Sequence, residues 1–178
     1  MQLLTEAARV DPAHPVVCGR LCESYQLTEE FDKAIAACRR NIELRGDGQD
    51  YNSLGQAYMS MRDYPNAALA FEQAVKKSSE AILYGNYLWA LESAHLYDKA
   101  IPAAEKWAEL SEHDRTELTS ALENLTAIWT KLGRMDKAKA ALAKLYAIDP
   151  QSNFQICELK TNDKGDVGVN CSFSSQHP

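Results

Sequence analysis

The chain has 178 residues, of which 46% are hydrophobic and 25% are charged, and its formal net charge at pH 7 is -6. This composition is typical of a folded globular chain and argues against disorder over most of the length. The negative charge repels phosphate backbones and anionic lipid headgroups, so we expect neither nucleic acid nor a membrane surface as a partner.

A repeated pattern organises most of the chain. It is marked by alanines at intervals of 33, 33 and 38 residues, and the positions 13 and 9 before each alanine and 4 and 7 after it also keep to a few residue types. Residues three, four and seven apart line one face of a helix, so each unit is predicted to be two amphipathic helices. The four alanines are Ala34, Ala67, Ala100 and Ala138.

Taken in chain order, the pattern predicts six segments. Residues 1–12 match the second helix of a repeat whose first helix is missing, so the chain is expected to begin inside a longer array. Complete repeats follow at 13–47, 48–79, 80–113 and 114–150, and residues 151–178 form a tail. The interval of 38 residues places an insert of about one helical turn at 111–118, in the loop or first helix of the fourth repeat.

The segment from Tyr51 to Tyr58, with Gly55 inside it, resembles the tetratricopeptide repeat, and the fourth repeat closes with Asp149-Pro150 as repeats of that family usually do. The resemblance covers residues 1 to about 150. It implies an all-α fold, a right-handed solenoid of helix pairs with a concave face that binds peptides. Independently of the family, a single helix pair cannot bury its apolar face, so neighbouring pairs must stack.

The tail is predicted to add a short C-terminal β-hairpin. Residues 153–159 and 166–173 are strand-like and flank a turn centred near residue 164, which would place Cys157 opposite Cys171. In an oxidising compartment the two could form a disulfide, and the alternative is two unpaired thiols. The chain shows no targeting signal or long apolar segment, so a cytoplasmic protein is the default, and an exported one stays open as an alternative if these cysteines pair.

Three other cysteines, Cys18, Cys22 and Cys38, occupy core columns of the first repeat. Three thiolates could approach a zinc ion, but a fourth ligand and the CxxC spacing of structural zinc sites are lacking. Buried thiols that act as small hydrophobic side chains are the favoured interpretation. We therefore expect neither a metal nor another cofactor.

The sequence contains no recognisable catalytic motif. Its four histidines are scattered over loops and the tail, and there is no HExxH, no nucleophile elbow and no glycine-rich phosphate loop. We therefore do not expect an enzyme.

The inner face of the first helices is the predicted binding site. Its side chains are mostly neutral, and their amides can both donate to and accept from the backbone of an extended peptide. Trp89 is the expected apolar anchor, although it could instead pack against the neighbouring repeat. By helical offset from the core columns, the predicted groove residues are Arg20, Glu23, Asn52, Gln56, Met59, Asn86, Trp89, Glu123, Asn124 and Lys131.

These features favour a non-catalytic scaffold that binds a peptide segment or helix of a protein partner in its concave groove. Two alternatives stay open at this point. The truncated first repeat and the hairpin could drive self-association. The repeats could also be an appendage that positions substrate for a larger enzyme.

Overall fold

A computed structural model describes residues 6–7, 9–11, 13–150, 156–161 and 167–172, and for the last two ranges it describes the backbone only. Residues 6–7 and 9–10 are helical. No strand occurs between residues 13 and 150. The helices of that range are α1 Pro15–Leu27, α2 Phe31–Leu44, α3 Gly48–Ser60, α4 Tyr64–Lys77, α5 Ala81–Ser93, α6 Tyr97–Leu110, α7 Arg115–Lys131 and α8 Met135–Ile148.

The chain divides into two compact units, Met1–Ala103 and Ala104–Pro178. In the first unit α1 packs against α2 and α3 against α4, while α2 contacts α3 and α4 contacts α5. The first helices α1, α3 and α5 also lie side by side. In the second unit α7 packs against α8. The prediction of stacked helix pairs is confirmed.

The alanine columns that revealed the period form the centre of each pair. Ala34, Ala67, Ala100 and Ala138 are all 0% exposed. A methyl group at this position lets the two helices of a pair approach closely, and larger side chains in the other columns fill the space around it. The spacing read from the sequence therefore marks the packed core.

Gly55 on α3 faces the ring of Phe71 on α4. A Cβ added at Gly55 would lie 2.6 Å from Phe71 Cε1, and Phe71 is 1% exposed, so the ring has no free space into which to move. We expect Gly55→Ala to destabilise the protein by about 1–3 kcal/mol, although alanine forms helices better than glycine by about 1 kcal/mol. Thermal denaturation measures the loss. Phe71→Leu should partly rescue it, and a stabilised Gly55→Ala protein would contradict the contact.

The turns inside the four pairs share one backbone geometry. Glu29, Arg62, His95 and Gly133 have φ angles of 58°, 59°, 58° and 67°. In each turn the next N–H donates to the carbonyl five residues earlier, at 2.8 or 2.9 Å. This is the left-handed ending that terminates many helices. Only one of the four turns has glycine at the position with positive φ. The repeat period therefore locates these turns better than a search for glycine does.

A buried carboxylate joins the first two described helix pairs. The Asp50 side chain, near the start of α3, is 1% exposed and accepts hydrogen bonds from Asn41 Nδ2 at 2.6 Å and Arg45 Nε at 2.9 Å. Asp50 also forms a capping box with Asp47, in which each backbone N–H donates to the other side chain. Because Asn41 lies on α2, the network fixes α3 on the preceding pair.

Opposing effects set the pKa of Asp50. Burial alone would raise it, but hydrogen bonds from Arg45 and from the Asp47 and Gly46 N–H groups, together with the charge of Arg45, lower the pKa below the usual 3.8. The carboxylate is therefore ionised at neutral pH and holds its partners in place.

Cys22 on α1 and Cys38 on α2 form a disulfide. Their Cα atoms are 5.0 Å apart, within the range that such a bond spans, and both residues are buried. The prediction of unpaired thiols is wrong for these two residues, because close packing of α1 on α2 brings their core columns within bonding distance. Cys18 keeps a buried thiol, and burial raises its pKa. With two of the three sulfur atoms bonded to each other, this cluster cannot supply three thiolates to zinc.

Beyond the helices, strand β1, Ile156–Thr161, pairs antiparallel with β2, Val167–Ser172, and Cys157 is opposite Cys171 in the register. The residues that would form the turn and the side chains of both strands lie outside the described part of the chain. The hairpin as a folded element and its disulfide therefore both stay predictions.

Candidate functional site

The first helices of unit Met1–Ala103 expose side chains at equivalent positions of the period. One row, at intervals of 33 residues, consists of the exposed side chains of Val16 on α1, Gln49 on α3 and Ile82 on α5. A second row at the same intervals consists of Glu23, Gln56 and Trp89. Because these helices lie side by side, the rows form one strip across the unit. We call this strip the first-helix face: Val16, Arg20, Glu23, Gln49, Gln56, Ile82 and Trp89.

The apolar part of the first-helix face is concentrated on α5. Trp89 is 61% exposed and Ile82 is 53% exposed. They are seven residues apart, which places them two turns apart on one side of the helix, separated by about 10 Å along its axis. The structure therefore places most of the Trp89 side chain on the surface. Ile82 was not among the predicted groove residues.

The charged part of the first-helix face has no net charge. Arg20 Nη1 donates to Glu23 Oε2 at 2.9 Å, and the two side chains are 66% and 54% exposed. Such a surface ion pair contributes little to stability. Its effect on the face is to cancel two charges, so the strip presents apolar groups and amides to a ligand.

Two predicted groove residues are buried instead. Asn52 is 3% exposed and Met59 is 9% exposed. Asn86, which is half-buried, donates from Nδ2 to Asn52 Oδ1 at 2.9 Å and so links α5 to α3. The prediction used the position of each residue on its own helix, and this position does not show which side chains a neighbouring first helix covers. Of the predicted amides in this unit, Gln56 is exposed while the two asparagines tie first helices together.

The predicted groove residues of unit Ala104–Pro178 all lie on α7. Lys131 is exposed, whereas Glu123 and Asn124 are half-buried. Asn124 Nδ2 donates to the Ser120 carbonyl oxygen at 2.8 Å, so this amide already has a partner within its own helix. That these residues line a groove with those of the other unit stays a prediction.

Between residues 13 and 150, no three histidine, cysteine, aspartate or glutamate side chains are grouped so that they could hold a metal ion. Within the described ranges, none of the helices combines the length and the apolar character needed to cross a membrane.

Comparison with known proteins relates this arrangement to a family. A family model for the tetratricopeptide repeat matches residues 51–76, in the second predicted repeat, and 130–152, in the fourth predicted repeat and the first two residues of the tail. No curated protein sequence matches the chain significantly.

Solved structures of similar fold extend the comparison to most of the chain. MamA from Desulfovibrio magneticus RS-1, residues 41 to the end, superposes with a TM-score of 0.70 at 16% identity, over 85% of each chain. YrrB, described as a TPR protein with an unusual peptide-binding site, gives 0.67 at 21% identity over 83% of this chain and 75% of its own. The C-terminal part of a TPR protein from Cytophaga hutchinsonii gives 0.72 at 24% identity, over 85% and 62%.

Proposed function

Because the chain is a tetratricopeptide repeat protein, we propose that it is a non-catalytic scaffold that holds a peptide segment or helix of a protein partner on the first-helix face. The observation that carries this proposal is the exposure of Trp89. An indole that leaves 61% of its surface in water gains free energy when a ligand covers it, and tryptophan is among the residues that dominate binding energy at interfaces.

The first-helix face favours a particular kind of ligand. Its strip is neutral, and on α5 it carries two apolar side chains, Ile82 and Trp89, about 10 Å apart. In a polyproline II segment, residues i and i+3 point the same way and are about 9 Å apart. We therefore propose an extended, uncharged segment with apolar side chains three residues apart. Gln49 and Gln56 can donate to and accept from its backbone.

Trp89→Ala should weaken partner binding by about 30-fold or more, the effect of truncating an interface residue worth about 2 kcal/mol. Because the indole is largely exposed, the free energy of unfolding should change by no more than about 0.5 kcal/mol. A partner captured by the wild-type protein is titrated against both proteins, and thermal unfolding is followed in parallel.

Leu69→Ala is the matched control, since Leu69 is a large apolar side chain that is 57% exposed but lies on the second helix α4. It should leave partner binding unchanged. Equal binding of the partner by wild type and Trp89→Ala would contradict the proposal, and loss of binding in Leu69→Ala alone would move the site to the second helices. Asn52 is a poor probe, because its replacement would leave the half-buried Asn86 amide without its acceptor.

We also propose that the repeats follow the predicted boundaries and that β1 and β2 form a hairpin closed by Cys157 and Cys171. The antiparallel register, with these two residues opposite each other, supports the pairing. Of the five cysteines, oxidised protein would then keep Cys18 alone as a thiol. A thiol assay on denatured, unreduced protein that finds three thiols per chain would contradict the second disulfide.

A further inference from the structure

The insert in the period lengthens α7. This helix has 17 residues, whereas α1, α3 and α5 have 13 each. The additional turn is at the N-terminal end of α7, where residues 111–118 depart from the spacing of the other repeats. It therefore gives unit Ala104–Pro178 a surface that the other repeats do not have.

The additional turn is held firmly on both sides. Trp107 Nε1 on α6 donates to Glu117 Oε2 at 2.6 Å. Asp114 caps α7 by accepting from the N–H groups of Thr116 and Glu117 at 3.0 and 3.1 Å. Arg115 reaches Asp149, which follows α8, at 3.3 Å. The position of this turn is thus fixed before any ligand binds, which reduces the entropic cost of binding.

A cleft of about 620 Å³ lies between the end of α6, the start of α7 and the end of α8. This volume is in the range of sites that bind ligands or side chains of a partner. Its floor is apolar and follows one face of α7 at intervals of four and three residues, through Leu118, Leu122 and Leu125. Leu122 and Leu125 are 4% and 6% exposed and form the base of the cleft, whereas Leu118 is half-buried. Ala108 and Ile148 extend this apolar surface onto the neighbouring helices.

The rim of the cleft is acidic on the α6 side. Glu105, Glu109 and Glu112 repeat there at intervals of four and three, and Lys144 is the cation that lines the cleft on α8. Glu109 accepts from Lys106 at 2.7 Å. Neither Glu105 nor Glu112 has an ion-pair partner among the residues described between 104 and 150. The rim therefore attracts a positively charged ligand.

We propose that this cleft binds a basic amphipathic helix of a protein partner. The three leucines span about 10 Å along α7, which is two helical turns. A partner helix with apolar residues at i, i+4 and i+7 would cover the exposed apolar surface around Leu118, and lysine or arginine beside that stripe would meet Glu105 and Glu112. The site shares no residue with the first-helix face and differs from it in charge, and it does not depend on the function proposed there.

The test uses two labelled synthetic helices of about 14 residues, a length at which such peptides begin to be helical. Both carry leucines at i, i+4 and i+7, and they differ in having lysine or glutamate beside that stripe. Fluorescence anisotropy should show binding of the lysine peptide to the full chain and none of the glutamate peptide. Glu105→Lys/Glu112→Lys should weaken binding of the lysine peptide by at least about tenfold and reduce its dependence on salt.

The matched control is Glu29→Lys/Glu43→Lys, which changes the net charge equally at exposed positions of the other unit. It should bind the lysine peptide as wild type does, and so should Trp89→Ala.

Three results would overturn the proposal. The first is equal binding of both peptides or of both charge variants. The second is self-association that the Glu105→Lys/Glu112→Lys change abolishes, which would assign the cleft to a second copy. The third is displacement of the lysine peptide by a peptide of residues 151–178.

Discussion

Replacing Cys22 and Cys38 together by alanine should lower the free energy of unfolding by about 3 kcal/mol, the stabilisation expected for a disulfide that closes a loop of this size. The two cysteines are 16 residues apart in sequence and join α1 to α2. Because a repeat contacts only its neighbours, the loss should be concentrated in that pair. Hydrogen exchange should therefore speed up most in α1 and α2, and thermal denaturation should show a lower midpoint.

The reductant dependence provides the control. Dithiothreitol should lower the melting temperature of the wild type towards that of the double variant and leave the double variant unchanged. Cys18→Ala removes a buried thiol that is not part of the bond, so it should keep the sensitivity to reductant. A wild-type protein whose melting temperature is indifferent to reductant would contradict the disulfide. Since such bonds persist in oxidising compartments, a positive result also favours the exported alternative.

Asp50→Ala should destabilise the protein by about 3 kcal/mol, because it leaves buried hydrogen-bond donors without an acceptor. Asn41 is 4% exposed and would lose the acceptor of its Nδ2 group. Arg45 is 47% exposed and can turn to water, which keeps the effect below that of a fully buried ion pair. Denaturant unfolding at pH 7 measures the difference from wild type.

The pH dependence follows from the lowered pKa of Asp50. The folded state binds this proton less readily than the unfolded state does, so the carboxylate stabilises the fold at pH values above its unfolded pKa. That contribution should decline as the pH falls below about 4 and should be lost once the folded pKa is passed. Asp50→Asn should show a smaller loss of stability between pH 6 and pH 3 than wild type. Parallel stability curves for the two proteins would contradict the role of Asp50.

The period predicted the helices well because one packing geometry is repeated. The turns around Glu29, Arg62 and His95 could be located from the alanine columns even though none contains a glycine. The position of each turn is set by the packing of the two helices that it connects and not by the residues of the turn. The core could be predicted for the same reason, since a column that tolerates only a methyl group must lie where two helices cross.

The candidate site was harder to predict because it depends on contacts between repeats. Asn52 was assigned to the groove from its position on one helix, but it is buried and accepts a hydrogen bond from Asn86 on the neighbouring α5. The Cys22–Cys38 bond was missed for a related reason: the two residues lie in core columns, but their distance depends on how closely α1 packs on α2. Trp89 could be identified because its helical neighbours Tyr87, Leu88 and Leu91 already fill the core.

Site-specific photo-crosslinking tests the central claim most directly, because it reports which face of the protein the partner touches. Gln56 and Gln73 are a matched pair of exposed glutamines, the first on the first-helix face and the second on α4. A benzophenone side chain placed at position 56 should crosslink to the bound partner, whereas the same group at position 73 should not. Crosslinking to the partner from position 73 and none from position 56 would contradict the claim that the first helices hold the partner.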